Sequence, residues 1–220
     1  MGCAAIIVAS GSSRRMGFDK LAAVIDGKPV LAHTVRAFMA AEGITRVIVV
    51  CPEDRFRLLD GDEFSKPIDR VDGGDQRQDS VANGMAALGP DDLIIAVHDG
   101  ARPLVRPESI DECIAAARQY GAAALARVVT DTIKKADTEG FARYSVDRTG
   151  LWAMETPQVF HSSVLRRAYA TVVERQLAVT DEVSAVEAMG ISTKLITSPF
   201  PNPKITVPAD IHLASALMAS

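Results

Sequence analysis

The chain has 220 residues, 48% of them hydrophobic and 24% charged, enough apolar material to close one core of ordinary size, so disorder and a small stapled scaffold are excluded. With 24 Lys+Arg against 28 Asp+Glu the formal charge is −4, and no chain-wide positive field exists to hold nucleic acid or an anionic membrane. A phosphate ligand therefore has to meet a local basic cluster.

In chain order, Met1-Gly2-Cys3 passes straight into Ala4-Ala5-Ile6-Ile7-Val8, read as a first core strand, too short for a bilayer span and without a basic leader. Ile6 stands where a myristoylation signal needs Ser or Thr. Leu31, Val35 and Phe38 share one helical face, as do Val81, Met85 and Leu88. Short apolar runs at 46–51, 93–98 and 122–129 read as further buried strands. Pro107 and Glu108 open a helix through Ile110, Cys113, Ile114 and Ala117, and Gly121 can stop it. The pattern predicts an α/β fold.

Between Asp131 and Phe160 the alternation changes, with turn-like Asp137-Thr138-Glu139-Gly140 and Asp147-Arg148-Thr149-Gly150, and predicts an excursion of antiparallel strands. So few large apolar residues bury little alone, and the excursion is expected to lie on a second subunit. Ser162 is expected to cap a helix carrying Leu165, Ala168, Tyr169, Val172 and Val173, and Asp181 one ended by Gly190. Cys3, Cys51 and Cys113, odd in number and with no C-x-x-C pair, suggest neither a disulfide frame nor a zinc site, and fit a reducing cytoplasm.

The most informative segment is the first loop, Ala9-Ser10-Gly11-Ser12-Ser13-Arg14-Arg15-Met16-Gly17-Phe18-Asp19-Lys20. Small residues let backbone N–H groups approach a phosphate chain and the cations neutralise it. It is not a Walker A loop, since five residues separate Gly11 from Gly17 and Phe18 stands where Lys belongs, and Ser13 breaks the dinucleotide fingerprint. A solvated basic turn is the plain alternative. Its place after the first strand, where open α/β sheets bind ligands, favours phosphate. Gly73-Gly74 permits close approach to a base or sugar, with Ser80 near the next helix start. In His98-Asp99-Gly100-Ala101-Arg102-Pro103, Asp99 follows a buried run and can organise hydrated magnesium or a substrate hydroxyl, Arg102 can hold phosphate, and His98 reads as structural. Thr132, Arg148, Thr180 and Lys204 would be surface residues on composition alone.

These segments, with Asp131-Thr132-Ile133-Lys134, Leu151-Trp152, Thr156-Pro157-Gln158-Val159-Phe160, Thr180-Asp181-Glu182 and Lys204-Ile205-Thr206, resemble the 2-C-methyl-D-erythritol 4-phosphate cytidylyltransferase family from end to end and in order. The resemblance implies a Rossmann-like, mostly parallel sheet flanked by helices, in one domain spanning 1–220, with a protruding antiparallel β-arm at about 131–155 that crosses to the partner of a homodimer. It implies transfer of CMP from CTP to methylerythritol phosphate in the non-mevalonate isoprenoid pathway, with magnesium held mainly through the CTP phosphates. Ala9, Ser10, Gly11, Gly74, Asp75, Ser80 and Gly100 would line the CTP site, and Arg15 and Lys20 would stabilise the transition state. Arg148 and Lys204 would position the acceptor, with Asp99, Arg102, Thr132 and Thr180. Ser10, Gly100 and Pro203 depart from the family's usual residues, as does the Phe18-Asp19-Lys20 ending of the first loop. A ribitol 5-phosphate cytidylyltransferase, sharing the nucleotide half, is the nearest alternative; a silent nucleotide-binding scaffold is the other.

Overall fold

The computed structural model describes residues 2–11 and 17–219. Its elements are β1 (Cys3–Val8), β2 (Val24–Ile25), β3 (Lys28–Pro29), α1 (Val30–Ala40), β4 (Ile44–Val50), α2 (Glu53–Phe56), β5 (Ile68–Val71), α3 (Arg77–Ala86), β6 (Ile94–Asp99), α4 (Pro107–Tyr120), β7 (Ala122–Val128), β8 (Ile133–Ala136), β9 (Ala142–Val146), β10 (Trp152–His161), α5 (Ser162–Glu174), α6 (Glu182–Glu187), β11 (Lys194–Ile196) and α7 (Ala209–Met218). Seven strands form one sheet in the order β11-β7-β10-β6-β1-β4-β5. Only β10 among them runs antiparallel to its neighbours.

Side chains alternate across a strand, so each strand feeds two cores. Ala5, Ile7, Val47, Val49 and Ala96 pack under α1 and α4, with Phe38 and Ile110 at the centre. Ala4, Ile6, Ile48, Val50 and Val97 pack under α3, α5 and α6. Gly84 lets α3 sit close: a Cβ there would lie 2.6 Å from Ile6 Cγ2 and 3.2 Å from Val50 Cγ2. α4 starts with Pro107 in its first turn and ends at Gly121, whose φ of 86° is the left-handed stop expected from the sequence.

Register sets the site. Val8 is level with both Val50 and Asp99, so the carboxyl ends of β1, β4 and β6 form one rim. The first loop and Asp99 both open onto it.

The expected arm resolves into two parts. β8 and β9 form a separate antiparallel pair, and nearly all of it is exposed. The residues from Trp152 onward, placed in the arm at 131–155, instead start β10 and pair with β7 in the main sheet, because Trp152, Ala153 and Met154 find ladder partners at Val128, Arg127 and Ala126. Ser162 is not the cap of α5: His161 occupies the N-cap position and the Ser162 hydroxyl accepts from Arg166 Nε. Asp181 does cap α6, accepting from Ser184 N. The small β2–β3 hairpin, turned by Asp26 and Gly27 at φ 46° and 75°, was marked in the sequence only by its Asp-Gly dipeptide.

Candidate active site

The rim is organised around the Asp99 carboxylate, which ends β6 and is 8% exposed. Lys204 Nζ lies 2.8 Å from Oδ2, Arg77 Nε 3.3 Å from Oδ1, and Arg102 Nε 3.7 Å from Oδ2, the last an ion pair rather than a hydrogen bond. Burial pushes the carboxyl pKa up, but Lys204, Arg77 and Arg102 outweigh it and hold the group well below the usual carboxylate range. Asp99 thus gathers three cations at the mouth of the sheet, one of which, Arg77, it shares with Glu182.

Two of the three cations, Arg102 and Arg77, are anchored a second time. Arg102 donates to the Asn202 carbonyl at 2.6 Å, fixing the turn before Lys204, while Asn202 Nδ2 donates to the Thr156 carbonyl at 2.8 Å. Arg77 presents two nitrogens to Glu182, at 2.6 and 2.9 Å, and the fully buried Glu182 also accepts from Tyr169 Oη at 3.0 Å. Gln158 on β10 donates to Asp181 at 2.8 Å and accepts from Val183 N at 3.0 Å, seating α6 against the rim. The Thr180-Asp181-Glu182 segment is therefore largely architectural. Thr180 itself stays exposed, 3.2 Å from Ser184 Oγ.

His98 is completely buried and lies against Phe38, ring centroids 4.8 Å apart. Its Nε2 meets the Arg102 carbonyl at 3.2 Å, which can only accept, so Nε2 carries the proton and Nδ1 accepts from Thr156 Oγ1 at 2.9 Å. Thr156 Oγ1 in turn accepts from the Asp99 N–H at 3.2 Å. This chain fixes the backbone under Asp99. Burial pushes the imidazole pKa down to about 3, so His98 is neutral and structural.

Two small-residue loops meet beside this cluster. Ser80, buried in the first turn of α3, accepts from Gly74 N at 3.1 Å, donates to the Gln76 carbonyl at 3.2 Å, and has Ser10 Oγ 2.8 Å away. Gly73 makes that approach possible, since a Cβ would stand 2.4 Å from Ser10 Cβ; at Gly74 it would stand 2.3 Å from Asp79 Cβ. At Gly11 a Cβ meets nothing within 4 Å among the described residues. Asp75 is exposed at this mouth. Gly100 is packed against β1, its N–H donating to the Val8 carbonyl at 2.9 Å. Lys20 Nζ donates to the Ile205 carbonyl at 2.7 Å, joining the first loop to the segment after Lys204.

The structure thus brings together Ala9, Ser10, Gly11, Lys20, Gly74, Ser80, Asp99, Gly100, Arg102 and Lys204 along one rim. Arg15 lies outside the described residues. Thr132 and Arg148 are exposed on the arm, where Arg148 donates to the Thr130 carbonyl instead of joining the Asp99 cluster of its own chain. Thr156 entered the sequence reading only within a family motif and Arg77 with no role; Arg77 is separated from Glu182 by 105 positions, a pairing that no local pattern signals.

Among the described residues there is no group of three or more His, Cys, Asp or Glu side chains able to hold a metal ion, and Asp99 is already matched by cations. The donor set does not fit a resident metal.

A doubly flanked, mostly parallel sheet with a small-residue loop after its first strand and a cationic rim defines a nucleotidyltransferase of the Rossmann-like kind. Residues 3–220 match the family described as 2-C-methyl-D-erythritol 4-phosphate cytidylyltransferase, and the chain belongs to it. A protein of that name from Caldanaerobacter subterraneus subsp. tengcongensis is 41% identical, covering 99% of each chain, and one from Geobacillus kaustophilus is 39% identical, covering 100% of this chain and 98% of the other. The crystal structure of 2-C-methyl-D-erythritol 4-phosphate cytidylyltransferase from Thermus thermophilus superposes with a TM-score of 0.82 at 29% identity, covering 100% of both chains. That of 4-diphosphocytidyl-2C-methyl-D-erythritolsynthase from Anaerococcus prevotii gives 0.86 at 27% identity, covering 100% and 96%.

The neutral His98 has a consequence for stability. Its pKa is about 3 folded against about 6.5 unfolded, so below pH 6.5 the unfolded chain binds a proton that the folded one refuses. Stability is full above pH 6.5 and falls toward pH 3, by up to about 1.4 kcal/mol per pH unit. Urea unfolding at pH 7 and pH 5 should show a smaller loss for His98→Gln than for the natural chain. Parallel losses would contradict this account of the imidazole.

Proposed function

We propose that this chain transfers CMP from CTP to 2-C-methyl-D-erythritol 4-phosphate and releases pyrophosphate. A phosphate oxygen of the acceptor attacks the α-phosphorus of CTP in line. One P–O bond forms, the bond to the β-phosphate bridging oxygen breaks, and pyrophosphate leaves from the opposite face. A phosphate dianion needs no base at neutral pH; the obstacle is pressing one anion onto another. The observation that carries the reading is the gathering of Lys204, Arg102 and Arg77 on Asp99 beside the loop that ends in Lys20.

The Ala9–Gly11 and Gly73–Ser80 loops, with Asp75 at the mouth and Gly100 beneath, would receive the nucleotide. Arg15 and Lys20 would meet the triphosphate charge as it builds. Lys204 and Arg102 would hold the acceptor phosphate, with Asp99 and Thr180 near its hydroxyls. Magnesium would arrive on the CTP phosphates, since the described residues offer no carboxylate set for it. The arm, residues 131–155 with its outer part at β8–β9, would cross to a second subunit of a homodimer and carry Thr132 and Arg148 into the neighbour's site. Phe141 and Tyr144 on it are 62% and 61% exposed, surface that a partner would cover. Among the described residues no helix is long and apolar enough to cross a membrane, and three buried unpaired thiols suit a cytoplasmic setting.

Pyrophosphate release, run with CTP and the other triphosphates against methylerythritol phosphate and ribitol 5-phosphate, tests the function. Turnover confined to CTP with methylerythritol phosphate is expected; preference for the ribitol ester, or nucleotide binding without turnover for either, would overturn it. In the same assay Lys20→Ala should lower kcat by ~10² to 10³-fold while CTP affinity changes far less. Unchanged kcat would remove Lys20 from the mechanism.

Arm exchange has its own test. Mixing inactive Lys20→Ala with inactive Arg148→Ala should restore part of the activity, because a hybrid dimer holds one intact composite site. No recovery after subunit exchange has been verified would place Arg148 in its own chain's site.

A further inference from the structure

Arg55 lies in α2, beyond β4, outside every motif considered so far. Its side chain is 11% exposed. Nε donates to Asp19 Oδ2 at 2.8 Å, and Nη1 donates to the Ala9 carbonyl and to the Gly11 carbonyl, the latter at 3.2 Å. One guanidinium thus bonds the opening of the first loop and also its close. Asp19 Oδ1 meanwhile accepts from Leu21 N at 3.0 Å, folding the turn that carries Lys20.

The geometry has a directional effect. In a trans peptide the C=O of one residue and the N–H of the next point opposite ways. Drawing the Ala9 carbonyl onto Arg55 therefore turns the Ser10 N–H away from the guanidinium, leaving it available on the other side of the loop. A planar fork with five donors can serve Asp19 and two carbonyls at once; a lysine ammonium has no matching plane.

We propose that Arg55 is a positioning residue for cytidylyl transfer: by clamping Ala9 and Gly11 at one end and Asp19 at the other, it presents the Ser10 N–H and Lys20 to the triphosphate in a fixed arrangement. It touches the loop and not the substrate. The inference rests on the function proposed above and names how the nucleotide half of that site is kept in shape.

The test compares Arg55→Lys, Arg55→Met and Asp19→Asn with the natural chain. Calorimetric titration reads CTP affinity, and kinetics read kcat and the KM for each substrate. Misplacing reacting groups by about 1 Å costs on the order of 10²-fold, so Arg55→Met should lose about 10²-fold in kcat/KM for CTP and at least about 10-fold in CTP affinity. Acceptor KM should stay within about 2-fold, and Arg55→Lys should recover little, because its charge lacks the fork. Arg55→Met combined with Asp19→Asn should be little worse than Arg55→Met alone, since both cut one clamp.

CTP parameters within about 2-fold of the natural chain, equal damage to acceptor KM, or multiplying losses in the double variant would overturn the proposal. If Arg55→Met does not fold, Asp19→Asn cuts the same ion pair from the other side and is read against the same limits. Failure of the natural chain to turn over any acceptor would sink the function alone; the CTP affinity ratio would still decide the clamp.

Discussion

A carboxylate at the end of a buried strand is the constraint on which the site depends. Asp99 sits where β6 leaves the sheet and holds its near neighbour Arg102 together with Arg77 and Lys204 from remote parts of the chain. Without it those cations repel one another, on the order of 4 kcal/mol for a pair 4 Å apart at an effective dielectric near 20. With it, and with Glu182 pairing Arg77 from the other side, Lys204, Arg77 and Arg102 are held together at the mouth of the sheet. The scaffold spends a buried anion to keep these cations in register.

The surroundings are arranged to keep Asp99 from moving. His98, Thr156 and the Arg102 carbonyl form a chain of hydrogen bonds beneath it, and burial keeps the imidazole neutral. Arg77 carries the constraint to Glu182 and α6, and Asn202 carries it to the Lys204 turn. The antiparallel strand β10 supplies Thr156 and Gln158 to two of these links. Its reversed direction brings polar side chains to a rim otherwise formed by the ends of parallel strands.

Legibility in the sequence followed burial. The strands Cys3–Val8, Ile44–Val50, Ile94–Asp99 and Ala122–Val128 are covered on both faces and read as apolar runs, so they were expected within a few residues. Edge strands β5 and β11, half exposed and carrying Asp69, Arg70 and Lys194, gave no such run. β10 was hidden because Glu155, Thr156, Pro157 and Gln158 interrupt it with groups that serve the site. The first loop and Asp99 were legible as chemistry from local composition. The meeting of Asp99 with Lys204 was not, since 105 positions separate them, and only the family resemblance selected Lys204. Arg55 and Arg77 act through acceptors remote in sequence, which no spacing rule reaches.

The most direct test of this account is the acceptor KM of Asp99→Asn, measured beside a circular dichroism check of folding. Removing a negative charge next to a phosphate site should, by Coulomb attraction alone, tighten acceptor binding. If Asp99 instead holds the cations in place, the substitution lets Lys204 and Arg102 separate, and the KM for methylerythritol phosphate should rise about 10-fold or more. A KM that falls or stays unchanged in a folded Asp99→Asn protein would contradict the account.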